Sequence, residues 1–224
     1  MARIQALPKY ESVRCMEGSE RFYDTPLGKC PSVTTVLSNS KDNSQLDRWR
    51  QRIGQEKADE IVKAAIWRGE RQHERIEQFL IDGIEPEPHL ICDMYWKSTR
   101  PFLSRIAKPL AMEGAVWHPD GYAGAFDCIA YLKDDDSDQP TLLDWKTADK
   151  ERNPAKMYEY SLQVSAYTKA ANYVYSFLGL KISKAMIVVA LPNQEPQIEE
   201  LDGEDIEQLY LHFQARLHRY TFAR

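Results

Sequence analysis

The sequence predicts an α/β fold: a small mixed sheet flanked by helices and preceded by a largely helical segment. Three observations carry this. A long helical period runs from about Ser44 to Ile81. From Glu113 the pattern changes to the alternation of strands, folded back at His118-Pro-Asp-Gly121. A further helical stretch, Met157 to Leu178, then separates the short strand Thr141 to Lys146 from the apolar run Ile182 to Leu191. A meander followed by a crossover helix and another strand is the element order of a mixed α/β sheet.

Taken in order, Arg21-Phe-Tyr23 and Cys30 flank a hairpin turn at Asp24-Thr-Pro-Leu-Gly28, and Ser32 after Pro31 reads as the N-cap of a helix. The long helical period breaks near Gly54. Within it Val62, Ile66, Gly69, His73, Ile76 and Leu80 recur at spacings of three and four, which puts His73 on the inward stripe, with Gly69 leaving space beside it. Residues 89 to 112 read as helical, Tyr122 to Leu132 as a strand, Lys133 to Pro140 as an acidic loop and Asp202 to the end as an amphipathic helix. The 224 residues suit one domain spanning 1–224. Its expected parts are a helical region at about 30–112, a core at about 113–200 and a helix at 202–224.

Composition narrows the class. Forty-three per cent hydrophobic and 28% charged residues are globular values, and a formal charge of −5 argues against coating a polyanion by bulk electrostatics. Any attraction for an anion must be local. The segment from Lys41 to Arg75 carries a small basic excess, which fits a solvated helix face as well as a nucleic-acid contact. Four widely spaced cysteines without a CxxC pair suggest free thiols, and neither an apolar leader nor a membrane-length apolar run is seen. The expectation is a soluble cytoplasmic protein, bacterial or from a phage-infected cell, with no membrane partner.

Strand alternation places the chemistry. Asp127, Ile129 and Tyr131 share one face of their strand. Leu142, Asp144 and Lys146 share one face of the next, so Asp127, Asp144 and Lys146 can converge. Hard oxygen ligands of this kind suit Mg²⁺ or Mn²⁺, and the carbonyl of Trp145 offers another oxygen. Taken singly, Asp144 and Lys146 also fit an edge-strand ion pair, Asp127 a turn acid and His73 a core histidine.

Together, Gly124-x-x-Asp127, Asp144-Trp-Lys146 and the following helix with Gln163-Val-Ser-Ala-Tyr167 resemble the PD-(D/E)XK nuclease superfamily, in its RecB-like branch with a Q-x-x-x-Y motif. A closer likeness adds Pro31-Ser-Val-Thr-Thr-Val-Leu37, the helix with Trp49 and Arg52, Arg68-Gly-Glu-Arg-Gln-His73 and Glu113. With these the chain is similar to the family of the mitochondrial genome maintenance exonuclease and its phage and bacterial relatives, from Tyr23 to the C-terminus.

The resemblance implies a restriction-endonuclease-like core and a Mg²⁺- or Mn²⁺-dependent exonuclease acting on single-stranded DNA with free ends. Asp127, Asp144, His73 and the Trp145 carbonyl would hold the ion. Lys146 would orient the attacking water or help deprotonate it, and Glu113 would fill the acidic position of the family's first motif. Gln163 and Tyr167 would hold phosphate, with Ser32, Thr34, Trp49, Arg52 and Arg68 touching DNA. Trp67, Tyr158 and Tyr160 join Trp49 as aromatics for base stacking. Ser32 fits a cap as well as a contact, Gln163 and Tyr167 a buried polar pair, and Glu113 an ion pair. No iron–sulfur cluster is expected, since no cysteine cluster follows Tyr167. The competing expectations are a site-specific or structure-specific endonuclease of the same superfamily and a catalytically silent nucleic-acid-binding module.

Overall fold

The computed structural model describes residues 6–135, 137 and 139–222. It opens with a three-stranded antiparallel sheet of β1 (Arg14–Glu17), β2 (Glu20–Thr25) and β3 (Gly28–Pro31). The β2–β3 turn is the predicted one, closing with Thr25 opposite Gly28. Helix α1 (Val33–Asn39) follows at once, capped by the Ser32 hydroxyl, which accepts from the Thr35 amide, and it buries Val33, Val36 and Leu37.

Helices α2 (Ser44–Ile53) and α3 (Gln55–Asp82) are separated at Gly54, whose φ of 88° is open to glycine at little cost. The 28 residues of α3 make a rod about 42 Å long. Only its second half serves the core. Gln72, Arg75 and Ile76 are buried there, whereas the first half buries Ala58 alone and α2 buries nothing. The inward stripe therefore starts later than its periodicity suggested: Ile66 is 55% exposed, because the rod reaches the sheet only from about Arg68 onward.

Helix α4 (Cys92–Leu103) ends well before residue 112, and β4 (Ile106–His118) begins seven residues before Glu113. The expected helix over 89–112 is corrected accordingly. Pro101 sits in the last turn of α4, and Pro109, which has no amide to donate, falls beside a register shift on an edge strand, where proline is tolerated.

The main sheet is mixed, in the order β4–β5–β6–β7–β8, with β5 (Tyr122–Leu132), β6 (Thr141–Thr147), β7 (Lys184–Ala190) and β8 (Gln197–Leu201). Only β6 and β7 run parallel, joined through α5 (Pro154–Val174), and a 3₁₀ turn at Ser176–Leu178 takes up the end of the predicted helix. One face of the sheet is covered by α1, α5 and α6 (Gly203–Phe222), with Val36, Leu142, Leu162, Ile187 and Phe213 in the core. The other is covered by α3 and α4, with Ile76, Trp96, Phe102, Leu143, Trp145 and Val188. Leu142 and Leu143 thus part to opposite faces, as alternation requires. Asp136 and Asp138 of the acidic loop lie outside the described residues. Among the described residues, no helix is long and apolar enough to cross a membrane.

Candidate active site

The cleft begins where the β5–β6 ladder stops. Ala130–Thr141, Ile129–Leu142 and Cys128–Leu143 are paired; the next step would set Asp127 against Asp144. Like charges directly opposite are unfavourable in a ladder, and the strands part there. β6 stays anchored on its other edge by β7, through Asp144–Ile187 and Lys146–Val189. The Trp145 amide, left facing the gap, donates instead to Asp127 Oδ2 at 2.7 Å. The Trp145 carbonyl faces the same gap and accepts from His73 Nε2 at 2.9 Å.

Three elements bring their side chains to this opening. His73 from α3, Glu113 from β4 and Asp127 from β5 place one ligand atom each within 4.8 Å of one another. His73 Nδ1 lies 3.3 Å from Glu113 Oε1 and 3.6 Å from Asp127 Oδ1. Glu113 is in mid-strand, between the pairs Met112–Cys128 and Gly114–Phe126, yet has a φ of 51°. A non-glycine residue in this region costs roughly 1–2 kcal/mol, and this one bears a carboxylate of the cluster. Burial of the His73 ring pushes its pKa down, but the Asp127 charge and the hydrogen bond to Glu113 outweigh that and the opposing Lys146, raising it to about 9. Without a competing cation His73 is therefore an imidazolium at neutral pH, donating from both nitrogens. Gly69, one turn before it, lines the cleft, but a Cβ there would meet nothing within 4 Å, so the space does not depend on glycine.

Asp144 is fully buried and Lys146 largely so. The Lys146 ammonium bonds Asp144 Oδ2, while the Gln163 side-chain amide reaches Asp144 Oδ1 at 3.5 Å and the Tyr167 hydroxyl at 3.2 Å. Burial pushes the Asp144 carboxyl above the usual carboxylate range against the pull of Lys146, with the Asp127 charge adding to the rise. Burial works against the Lys146 charge too, but the Asp144 and Asp127 carboxylates hold its pKa above the ordinary lysine value. Burial raises the Tyr167 phenol, leaving it a neutral donor. Its ring lies on the backbone of Gly124, where a Cβ would come within 2.3 Å of the ring, and this close approach is the physical reason for glycine three residues before Asp127.

The other sequence-predicted residues are distributed unevenly. Thr34 lines the cleft with His73, Glu113, Asp127, Lys146, Gln163 and Tyr167, around a volume of about 490 Å³. Ser32 is 2% exposed, its hydroxyl engaged with the Thr35 amide and the hydroxyls of Thr34 and Thr35, which places it as the cap behind the cleft wall. Arg68 is held by Asp149 at 2.8 Å and Thr147 at 3.3 Å and lies over the Tyr95 ring. Trp49 and Arg52 stand on α2, away from the lining, and Trp67 packs against His89. Tyr160 is buried beneath Lys146 and Lys156, leaving its face no room for a base, and Tyr158 bonds His212 beside a different hollow. Arg14, Arg21 and Tyr23 line the cleft without having been singled out from the sequence. The one available signal was that Arg21 and Tyr23, two apart on a strand, share a face.

The donor set fits a divalent cation. Two carboxylates and an imidazole from three elements suit Mg²⁺ or Mn²⁺, with Mn²⁺ the more tolerant of nitrogen. Asp144 and the Trp145 carbonyl border this trio, each with a partner of its own in Lys146 and His73.

No protein-family model matches this chain, and no curated protein matches it in sequence. Among solved structures it is similar to SSO0001, at 12% identity and TM-score 0.39, covering 81% of this chain and 73% of that one. It is also similar to a protein of Eubacterium rectale described as a "putative exonuclease", at 13% identity and TM-score 0.46, covering 70% and 66%. A third, LHK-Exo in complex with dAMP, gives 13% identity and TM-score 0.29, covering 69% and 80%. Likeness this distant carries no residue role and no activity to this chain.

Proposed function

We propose that the protein is a metal-dependent nuclease of the PD-(D/E)XK type that hydrolyses single-stranded DNA from free ends. The observation that carries the reading is the convergence of His73, Glu113 and Asp127 within 4.8 Å, on a cleft whose wall presents Lys146, Gln163 and Tyr167. His73, Glu113 and Asp127 would hold the ion, joined by Asp144 when Lys146 turns to the substrate. A bound Mg²⁺ or Mn²⁺ supplies Lewis-acid stabilisation of the phosphate and lowers the pKa of water. Lys146, as an ammonium, offsets charge on the phosphate and orients the nucleophile. The Gln163 amide and the Tyr167 phenol donate to phosphate oxygens without adding charge. The requirement for an end comes from the resemblance; α2 and the outer half of α3, which bury almost nothing, would on this reading take up the incoming strand.

The test is incubation of linear and covalently closed single strands with Mn²⁺, with Mg²⁺ and with EDTA, using Asp127→Asn as the inactive control. Asparagine keeps an oxygen for the Trp145 amide but loses the charge. Cleavage of linear strands only, abolished by EDTA and by Asp127→Asn, is expected. Equal degradation of circles would replace the exonuclease by an endonuclease, and binding without cleavage by a silent module.

A further inference from the structure

We propose that Arg14 and Arg21 form a clamp for backbone phosphates next to the cleaved bond and so set the path of the bound strand; this rests on the nuclease reading above. The β1–β2 register pairs Arg14 with Tyr23 and Met16 with Arg21. Cross-strand partners and residues two apart share a face, so Arg14, Arg21 and Tyr23 project together, and all three line the cleft that holds the His73, Glu113 and Asp127 cluster. Arg14 lies 5.8 Å from the Tyr23 ring centre. The Arg21 backbone is fixed on both sides by Thr35, whose hydroxyl accepts from its amide at 2.9 Å and donates to its carbonyl at 3.1 Å. Among the described residues neither guanidinium has a carboxylate at ion-pair distance, so their charge is left for a ligand.

The opposite wall carries Glu70, Glu74 and Glu77 of α3, with Glu74 paired to Arg71 and Glu77 to Lys9. That wall offers a polyanion no net positive charge, whereas the hairpin does. Arg14 and Tyr23 also border a second hollow of about 260 Å³, next to the first and sharing Glu113 and Ala125 with it. It is lined by Ala115 and Ala125, paired across β4 and β5, and by Tyr10, Glu11 and Ser12, with Arg14 its one cationic side chain among the described residues. The strand thus runs from the metal-binding cluster past Arg14 into the second hollow. Guanidinium groups suit phosphate for their fork of donors, and contacts of this kind carry no base identity.

The experiment measures binding of a short fluorescein-labelled oligothymidylate in EDTA by anisotropy, as a function of salt between about 50 and 200 mM. The variants are Arg14→Ala, Arg21→Ala, the double alanine variant, and Arg14→Lys/Arg21→Lys. Each alanine should lower the slope of log affinity against log salt by about 0.7, and the pair by about 1.4. The lysine pair should keep the wild-type slope, and melting curves should be unchanged, since both side chains are exposed. An unchanged slope in the double alanine variant of a protein that still cleaves with Mn²⁺ overturns the clamp and leaves the nuclease reading standing. So does a lysine pair that loses as much slope as the alanine pair, because charge is then not what acts. A wild-type protein that neither binds the oligonucleotide nor cleaves it with Mn²⁺ overturns both.

Discussion

Lys146→Met should leave the Asp144 carboxylate buried without its counter-charge, and the penalty can be bounded. Asp144 is 0% exposed, and its ordinary pKa is 3.8. Once Lys146 is gone, the carboxyl avoids an unpaired buried charge by taking up a proton. The most this can cost at pH 7 is the price of protonating a group across about 3 pH units, at 1.36 kcal/mol per unit, or about 4 kcal/mol. The right comparison is with Lys146→Met/Asp144→Asn, in which an amide of the same shape replaces the protonated acid. The sign follows from linkage. A carboxyl raised in the folded state binds more protons than in the unfolded chain, so the single variant loses stability relative to the double as pH rises from about 4 to 7. Near pH 4 the two should melt together. At pH 7 the gap of up to about 4 kcal/mol corresponds to roughly 8–16 °C for a chain of this size. Urea or thermal denaturation of both variants in EDTA at several pH values measures it. A gap independent of pH, or a double variant less stable than the single at pH 7, would show that Asp144 does not take up a proton when Lys146 is lost.

Other outcomes follow from the same geometry. In EDTA, the part of stability due to His73, whose pKa is raised to about 9, should be fully present below pH 6.5 and be lost as pH rises through 9; His73→Ala removes that dependence. A cation must displace this proton, so Mn²⁺ affinity from melting shifts should rise by nearly tenfold per unit, at most, between about pH 7 and 9, and much less in His73→Ala. Gly124→Ala should push the Tyr167 ring off the backbone, costing about 1–3 kcal/mol in urea denaturation and most of the cleavage rate. Glu113→Gly and Glu113→Ala should both lose cleavage, but the glycine variant should be the more stable by about 1 kcal/mol, since only alanine keeps the cost of a positive φ.

The central part of this arrangement was legible because it rests on period-two alternation in buried strands: Leu142 and Leu143 go to opposite faces, and Asp144 and Lys146 follow on the Leu142 side, Asp144 buried against Lys146 and Lys146 lining the cleft. Where burial does not impose a pattern the sequence says less. β1 and β8 are short and largely exposed, and carry no apolar alternation to read. The start of β4, Ala107-Lys-Pro-Leu-Ala-Met112, has no polar period, so its helix-like composition misleads. The positive φ of Glu113 arises from the sheet around it and has no local signature. Arg14 and Arg21 look like any charged residues on an exposed hairpin until the hairpin is seen to close the cleft.

The point where β5 and β6 part also bears on folding order. The position of β6 depends on parallel pairing with β7, which lies beyond the 21-residue α5. Contacts so far apart along the chain carry a large loop-closure cost and form slowly. The Asp127 to Trp145 bond and the approach of His73 to the Trp145 carbonyl both need β6 in place. Before that pairing is complete, Glu113 and Asp127 can already stand opposite each other on the β4–β5 hairpin, but His73 has no Trp145 carbonyl to meet. On the nuclease reading proposed above, the full donor set is therefore completed late, and an ion would act on the finished fold by mass action rather than as a template for building it.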